Sequence, residues 1–224
     1  MLGTVAPTPY DLNFSLFGIP VRVHPMFWVV SAIMGWRGGQ LNLMLIYVVC
    51  VFVSILVHEL GHAWTAKSYG WPPHIVLYAF GGYASYIPAW GRSTGKTILI
   101  LFAGPGAGFL LYGLICGLEY FLQLRDIVLG DLAWQAISDL KWINLAWGLM
   151  NLLPVYPLDG GQITHAALCH VRPRDGENIT FQISIAVAVG IAVLAFWAHD
   201  RYVALLFGML AFENLQLMQR GRFR

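Results

Sequence analysis

Five stretches of the chain are long and apolar enough to cross a bilayer: residues 41–66, 97–124, 132–153, 178–198 and 202–218. A hydrocarbon core of about 30 Å needs roughly 20 apolar residues in a helix, and each stretch is of that order. In lipid every backbone polar group must be satisfied within the segment, so such stretches fold as helices. Residues 25–36 (PMFWVVSAIMGW) are apolar but short and read as a sixth, shallow span. Only 11% of the 224 residues are charged and 58% are hydrophobic, whereas a soluble domain carries about 25% charged residues. That excludes a soluble globular enzyme and a disordered chain. The expected fold class is an all-α polytopic membrane protein with about six transmembrane helices.

Two segments break this pattern. Residues 72–90 (PPHIVLYAFGGYASYIPAW) are aromatic, β-branched and Gly-rich, which is hairpin composition. FSLFGIPVRV, just before Pro25, has strand-like content. A small membrane-associated β-hairpin or sheet is therefore expected beside the helices. The expected organisation is a lead and strand over 1–24, a single transmembrane core over 25–219 with 72–90 as its re-entrant or interfacial hairpin, and a basic cytoplasmic tail over 220–224. The N-terminus MLGTVAPTPYDLN lacks a basic n-region followed by an apolar h-region, so no cleavable signal is expected. Cys50, Cys116 and Cys169 are odd in number and include no CxxC pair; they read as packed free thiols. A net charge of +2 with no basic run outside the last five residues gives no reason to expect a nucleic-acid partner.

Orientation follows from Lys and Arg. With a cytoplasmic N-terminus and six alternating spans, Arg22, Lys67, Arg92, Lys96, Arg172, Arg174, Arg220, Arg222 and Arg224 fall inside. Arg37, Arg125 and Arg201 fall outside, and Lys141 lies within a span. Both termini are then expected in the cytoplasm of a multi-pass cell-membrane protein.

Ionisable residues at membrane depth are costly and mark function by default. Here they are His58, Glu59, His62, Glu119, Asp139, Lys141, Asp159 and Glu213. Three of them form His58-Glu59-Leu60-Gly61-His62, an HExxH motif at the inner end of a long helix. Residues four apart share a helix face, so the two imidazoles can hold one zinc ion. The adjacent Glu59 is then placed to take a proton from the attacking water.

Zinc of this kind needs a third protein ligand. A further His six residues on is absent, since Thr65 and Ser68 stand where that pattern needs Gly and His. A Glu some twenty residues on is absent too, since none occurs between Glu59 and Glu119. The best candidate is Asp159, in Asn151-Leu-Leu-Pro-Val-Tyr-Pro-Leu-Asp-Gly-Gly161. Its two prolines and two glycines end the span, and irregular backbone at this depth belongs in a protein interior or a wet cavity. Leu41 to His58 is 17 residues and Leu132 to Asn151 is 19, or about 26 and about 29 Å of helix. Both motifs therefore arrive near the cytoplasmic face. Glu119 and Asp139 lie toward the outer half. Glu213 approaches the inner end without a helix-breaking context and is the weaker alternative.

The sequence resembles the site-2 proteases, intramembrane zinc metalloproteases. The likeness rests on HELGH (58–62) and NLLPVYPLDGG (151–161). It is supported by Phe80-Gly81-Gly82-Tyr83-Ala84 and Ala103-Gly104-Pro105 in the expected order, and covers roughly residues 14–170. The resemblance implies that His58, His62 and Asp159 bind one zinc ion per chain and that Glu59 is the catalytic base. It implies that Asn151 helps hold the substrate backbone. The arrangement is similar to the six-span prokaryotic branch without PDZ or CBS domains. One departure is Gly108, where the family often has Asn.

Hydrolysis of a peptide bond needs a nucleophilic water, a proton acceptor and charge stabilisation. Glu59 would accept and return the proton. Asn151 could donate to the substrate carbonyl or the developing oxyanion, or could equally serve as a cap or turn residue. A substrate helix must be unwound before cleavage. The free edge of the 72–90 hairpin could pair with an extended segment, with Gly81 and Gly82 letting that backbone approach; otherwise it is a simple connector. The expected partners are a transmembrane or membrane-anchored protein substrate, the lipid bilayer and a regulatory membrane protein. His165, Cys169 and His170 read as packing or capping residues, and the tryptophans mostly as interfacial anchors. The competing readings are a catalytically inactive zinc-binding membrane adaptor and a transporter of metal ions or protons. Against the transporter, no inverted repeat is visible.

Overall fold

Phe17 and Gly18 take φ of 51° and 70°, so the N-terminal segment reverses in two residues. This left-handed pair matches the twist of a tight hairpin, and β1 (Leu12–Leu16) folds back on β2 (Ile19–Val23) with Leu16 opposite Ile19. Phe17 is held in this conformation from outside. Its ring stacks on Trp64 at 5.0 Å, and its carbonyl accepts a hydrogen bond from Lys67 Nζ at 2.7 Å. At the open end of the hairpin the Thr8 hydroxyl and Arg22 bind the Asp11 carboxylate. Together they hold its pKa down at about 2.

The computed structural model describes residues 6–79, 81–87, 91 and 93–221. Phe80, residues 88–90, Arg92 and the last three residues of the basic tail lie outside them. After the hairpin come α1 (Pro25–Met34) and α2 (Leu41–Ser68). Two more strands follow, β3 (Pro73–Tyr78) and β4 (Gly81–Tyr86). The chain then runs through α3 (Thr94–Leu124), α4 (Asp131–Asn151), α5 (Asp159–Val171), α6 (Gly176–Trp197) and α7 (Arg201–Gly221). His24 Nδ1 accepts from the Met26 amide and Pro25 opens the helix, which together fix the start of α1.

The four strands form one sheet in the order β1-β2-β3-β4. β2 and β3 are parallel, with Val21 opposite Ile75, and β3 and β4 are antiparallel, with Ile75 opposite Ala84. Ile19, Val21 and Val23 alternate inward along β2, as the two-residue period of a strand requires. They join Ile75 and Leu77, Phe27 of α1 and Cys50, Val51, Ile55, Leu60 and Ala63 of α2 in one apolar core. The sheet is therefore fastened to the helix that carries the HExxH motif.

Among the described residues α2, α3 and α6 are long and apolar enough to cross a membrane, and α1 is a shorter apolar helix. The expected six spans are thus represented by three clear ones. α4 and α7 are helices of 21 residues, but their polar content keeps them from qualifying. Much of that polarity in α4 is paired. Asp139 accepts from Arg37 Nη2 at 2.8 Å and from Gln135 Nε2 at 2.9 Å, and Lys141 donates to Glu119.

The backbone divides into two packed units. The first comprises Met1–Gly91 and Ala103–Gly148 and contains the sheet, α1, α2 and most of α3 and α4. The second comprises Arg92–Phe102 and Leu149–Arg224. Its core is Val155, Ala188, Phe207 and Ala211, where α6 and α7 pack on the turn that follows α4.

Candidate metal centre

His58, Glu59 and His62 are buried on one turn of α2, each less than 7% exposed. The helical repeat brings the two Nε2 atoms to 3.2 Å, with the rings edge to face at 4.8 Å. Close backbone packing makes room for this. A side chain at Gly61 would meet the Ala103 carbonyl, and one at Gly104 would overlap the His62 ring at Nε2. The Gly-Pro step of α3 thus offers the imidazole a bare backbone.

Two contacts from α4 complete the surroundings of α2. One turn before His58, the Ser54 hydroxyl accepts from Asn144 Nδ2 at 2.9 Å. Trp147 stands edge-on to His58, ring centres 6.4 Å apart. On the other side β4 approaches. A Cβ at Gly82 would come within 2.9 Å of Glu59 Cγ, and one at Gly81 within 2.9 Å of the Trp147 ring. Gly81 also adopts φ +139°, a conformation open to glycine and rarely to other residues.

Asp159 is the first residue of α5 and is 8% exposed. A carboxylate there faces the positive end of the helix dipole. The Asp-Gly-Gly sequence has a packing reason beyond helix breaking. A side chain at Gly160 would strike the Leu152 and Leu153 carbonyls, and one at Gly161 the backbone of Val155 and Tyr156. Only bare backbone lets the first turn of α5 sit on the turn that precedes it.

His58 and His62 offer two imidazole donors on α2, Asp159 offers a carboxylate at the head of α5, and all three residues are buried. Two imidazoles and a carboxylate suit zinc. Nitrogen ligands at about 2.05 Å in a tetrahedral site stand about 3.3 Å apart, close to the observed 3.2 Å. The residues present therefore fit the metal. Glu59 adjoins this group, and Gly81 and Gly82 line the strand beside it. Asn151 is the last residue of α4 and is 8% exposed. Cys169 Sγ lies 3.6 Å from His165 Nε2, an interaction within one face of α5.

The sequence reading passes over Ser54, Asn144, Trp147, Ser184 and Asn214. Polar residues buried in apolar helices were the available signal for four of them. Two of the tryptophans pack against other rings of the protein. Trp147 packs beside His58, and Trp71 is 1% exposed and stacks on Tyr86.

Residues 126–194, which include Asn151 and Asp159, match the sequence model of peptidase family M50. The chain is 28% identical over 211 residues to zinc metalloprotease MJ0392 of Methanocaldococcus jannaschii, covering 92% of this chain and 56% of that protein. It is 27% identical over 150 residues to stage IV sporulation protein FB of Bacillus subtilis, covering 65% of this chain and 46% of that protein. The chain thus spans about half the length of the curated relatives it matches. A solved site-2 protease from Methanocaldococcus jannaschii shares the fold, with a TM-score of 0.65 at 24% identity over 93% of this chain and 95% of that one.

Proposed function

From its likeness to peptidase family M50 and to a solved site-2 protease, we propose that the chain is a zinc endopeptidase of that kind. Its substrates are membrane proteins, cut at peptide bonds in or near their transmembrane segments. The observation that carries this reading is a buried pair of imidazoles, His58 and His62 with their Nε2 atoms 3.2 Å apart, beside a buried carboxylate, Glu59. His58, His62 and Asp159 would hold one zinc ion. When bound, it supplies the Lewis acidity that brings a water's pKa toward neutrality and polarises a peptide carbonyl.

The remaining chemistry falls to this chain's own side chains. The Glu59 carboxylate takes the proton of the attacking water and returns it to the departing amide nitrogen. The bare backbone of Gly82 leaves the space that the Glu59 side chain occupies beside β4. β4 ends the sheet, and an extended substrate segment adds to that edge by main-chain hydrogen bonds. Gly81 and Gly82 leave the space for its approach. Asn151 donates to the substrate carbonyl as charge develops there. Burial of these groups among apolar helices excludes bulk water and strengthens each electrostatic contact.

The Lys and Arg distribution supports six spans in a single core over 25–219, with both termini and the site toward the cytoplasmic face. In this arrangement the hairpin over 72–90 is re-entrant or interfacial. Selection among substrates falls to a regulatory membrane partner or to prior trimming.

The test is cleavage of a transmembrane reporter peptide in proteoliposomes by wild type and Glu59→Gln. Loss of activity by about 100-fold or more, with zinc retained, supports the proposal. Reporter processing that survives Glu59→Gln and metal chelation would overturn it and leave a zinc-binding adaptor.

A further inference from the structure

The turn before Asp159 contains no regular secondary structure; the Val155 and Leu158 amides are met within it by the Leu153 and Val155 carbonyls, and backbone groups not met in this way need partners from elsewhere. At Tyr156, three residues before the carboxylate, both are met by side chains of other helices. The Tyr156 amide donates to Ser184 Oγ of α6 at 3.0 Å, and Asn214 Nδ2 of α7 donates to the Tyr156 carbonyl. Asn214 Nδ2 also donates to the Leu210 carbonyl at 2.8 Å. With two carbonyls to satisfy, only the amide nitrogen can face them, which fixes the orientation of the Asn214 side chain.

Ser184 and Asn214 are fully buried. Asn214 Oδ1 has no hydrogen-bond partner among the described residues. A buried, unmatched acceptor is a local penalty that an apolar residue of similar size would not carry. Asn214 therefore occupies this position at a cost to its own surroundings, and its two donated bonds are what it supplies. The rest of the turn is set by its internal hydrogen bonds and by packing. Val155 is buried among Ala188, Phe207 and Ala211, the Tyr156 ring stands edge-on to Phe181, and Gln162 Nε2 donates to the Pro157 carbonyl at 2.9 Å.

We propose that Asn214 and Ser184 are positioning residues for the third metal ligand. By holding both main-chain polar groups of Tyr156, they fix the turn 154–158 and hence the place of the Asp159 carboxylate at the head of α5. This rests on the reading of Asp159 as a zinc ligand. Outer partners that orient a ligand typically account for about 10- to 100-fold in metal affinity, and the side chains here act through the ligand's own backbone.

The experiment measures zinc affinity by competition with a chelating dye, and the visible spectrum of the cobalt-loaded protein. It uses the full chain in detergent as wild type, Asp159→Ala, Asn214→Leu, Ser184→Ala and Thr180→Val. Thr180 is a buried α6 residue whose hydroxyl, among the described residues, bonds within its own helix to the Gly176 carbonyl. Thermal stability of the metal-free proteins is recorded alongside. Asn214→Leu and Ser184→Ala are expected to weaken zinc binding about tenfold or more and to alter the cobalt spectrum. Thr180→Val should change neither. If one turn variant does not fold, the other carries the test. Wild-type affinity and spectrum in a folded turn variant, with affinity lost in Asp159→Ala, would overturn the positioning role. Undiminished affinity in Asp159→Ala would overturn the ligand assignment itself.

Discussion

Gly104 of α3 lies directly against the His62 imidazole, so close that a β-carbon on it would overlap Nε2. A helix backbone thus forms one wall of the candidate metal site, and the absence of a side chain sets where the imidazole points. Gly104→Ala should push His62 off its position and weaken zinc binding about tenfold or more. Gly113→Ala, in the same helix with open space around it, should bind zinc as wild type does. Equal zinc affinity in the two variants would contradict the steric argument.

Gly82 stands in the same relation to Glu59. A methyl group there meets Glu59 Cγ at 2.9 Å and Leu77 Cδ2 at 2.7 Å. Leu77 is fully buried and has little room to yield. The Glu59 carboxylate must therefore move, while the two histidines keep their places. Gly82→Ala is expected to lower kcat by about 10- to 100-fold, the usual consequence of misplacing a reacting group by about an ångström, with zinc content unchanged. Unaltered kcat would remove Gly82 from any role in aiming the base.

Ser54 and Asn144 join α2 to α4 through one buried hydrogen bond. Asn144 Nδ2 also donates to the Leu140 carbonyl at 2.8 Å, so the amide is oriented from its own helix. Asn144→Ala should destabilise the folded state by about 1–2 kcal/mol. A double-mutant cycle with Ser54→Ala should give a coupling of about 1 kcal/mol, read from reversible unfolding in mixed micelles. Strict additivity would show that the two side chains do not communicate.

Arg37 and Asp139 form an ion pair across 102 residues of sequence, and the Asp139 side chain is only 6% exposed. Arg37→Gln leaves that carboxylate buried without its charge partner, at a cost of about 3 kcal/mol. Asp139→Asn in the same chain removes the unmatched charge and should restore much of the loss. A double variant no more stable than Arg37→Gln alone would count against this pairing.

The pairing of His58 and His62 was legible because it is local. His58 and His62 are one helical turn apart in any α-helix, and a chain that ends a span with two prolines and two glycines announces irregular backbone around Asp159. The hairpin was legible for the same reason, as β-branched and aromatic residues around a Gly-Gly step. Gly104 was visible only as part of a motif. Its purpose depends on α3 packing against α2, and nothing in residues 103–105 says what they face. Trp147 did not stand out because a tryptophan near a span end fits the bilayer interface as well as it fits the side of a histidine. The span count was the coarsest inference. Apolar runs reveal helices well, but α4 and α7 carry their polar residues toward partners such as Arg37, which composition alone does not identify.

The most direct measurement is the zinc content of the purified protein by mass spectrometry, wild type beside His58→Ala, Asp159→Ala and Glu59→Gln. About one zinc per chain is expected in wild type and in Glu59→Gln, with marked loss in the other two. A wild type that takes up no zinc on reconstitution, or an Asp159→Ala variant that keeps its full complement, would contradict a site built from His58, His62 and Asp159.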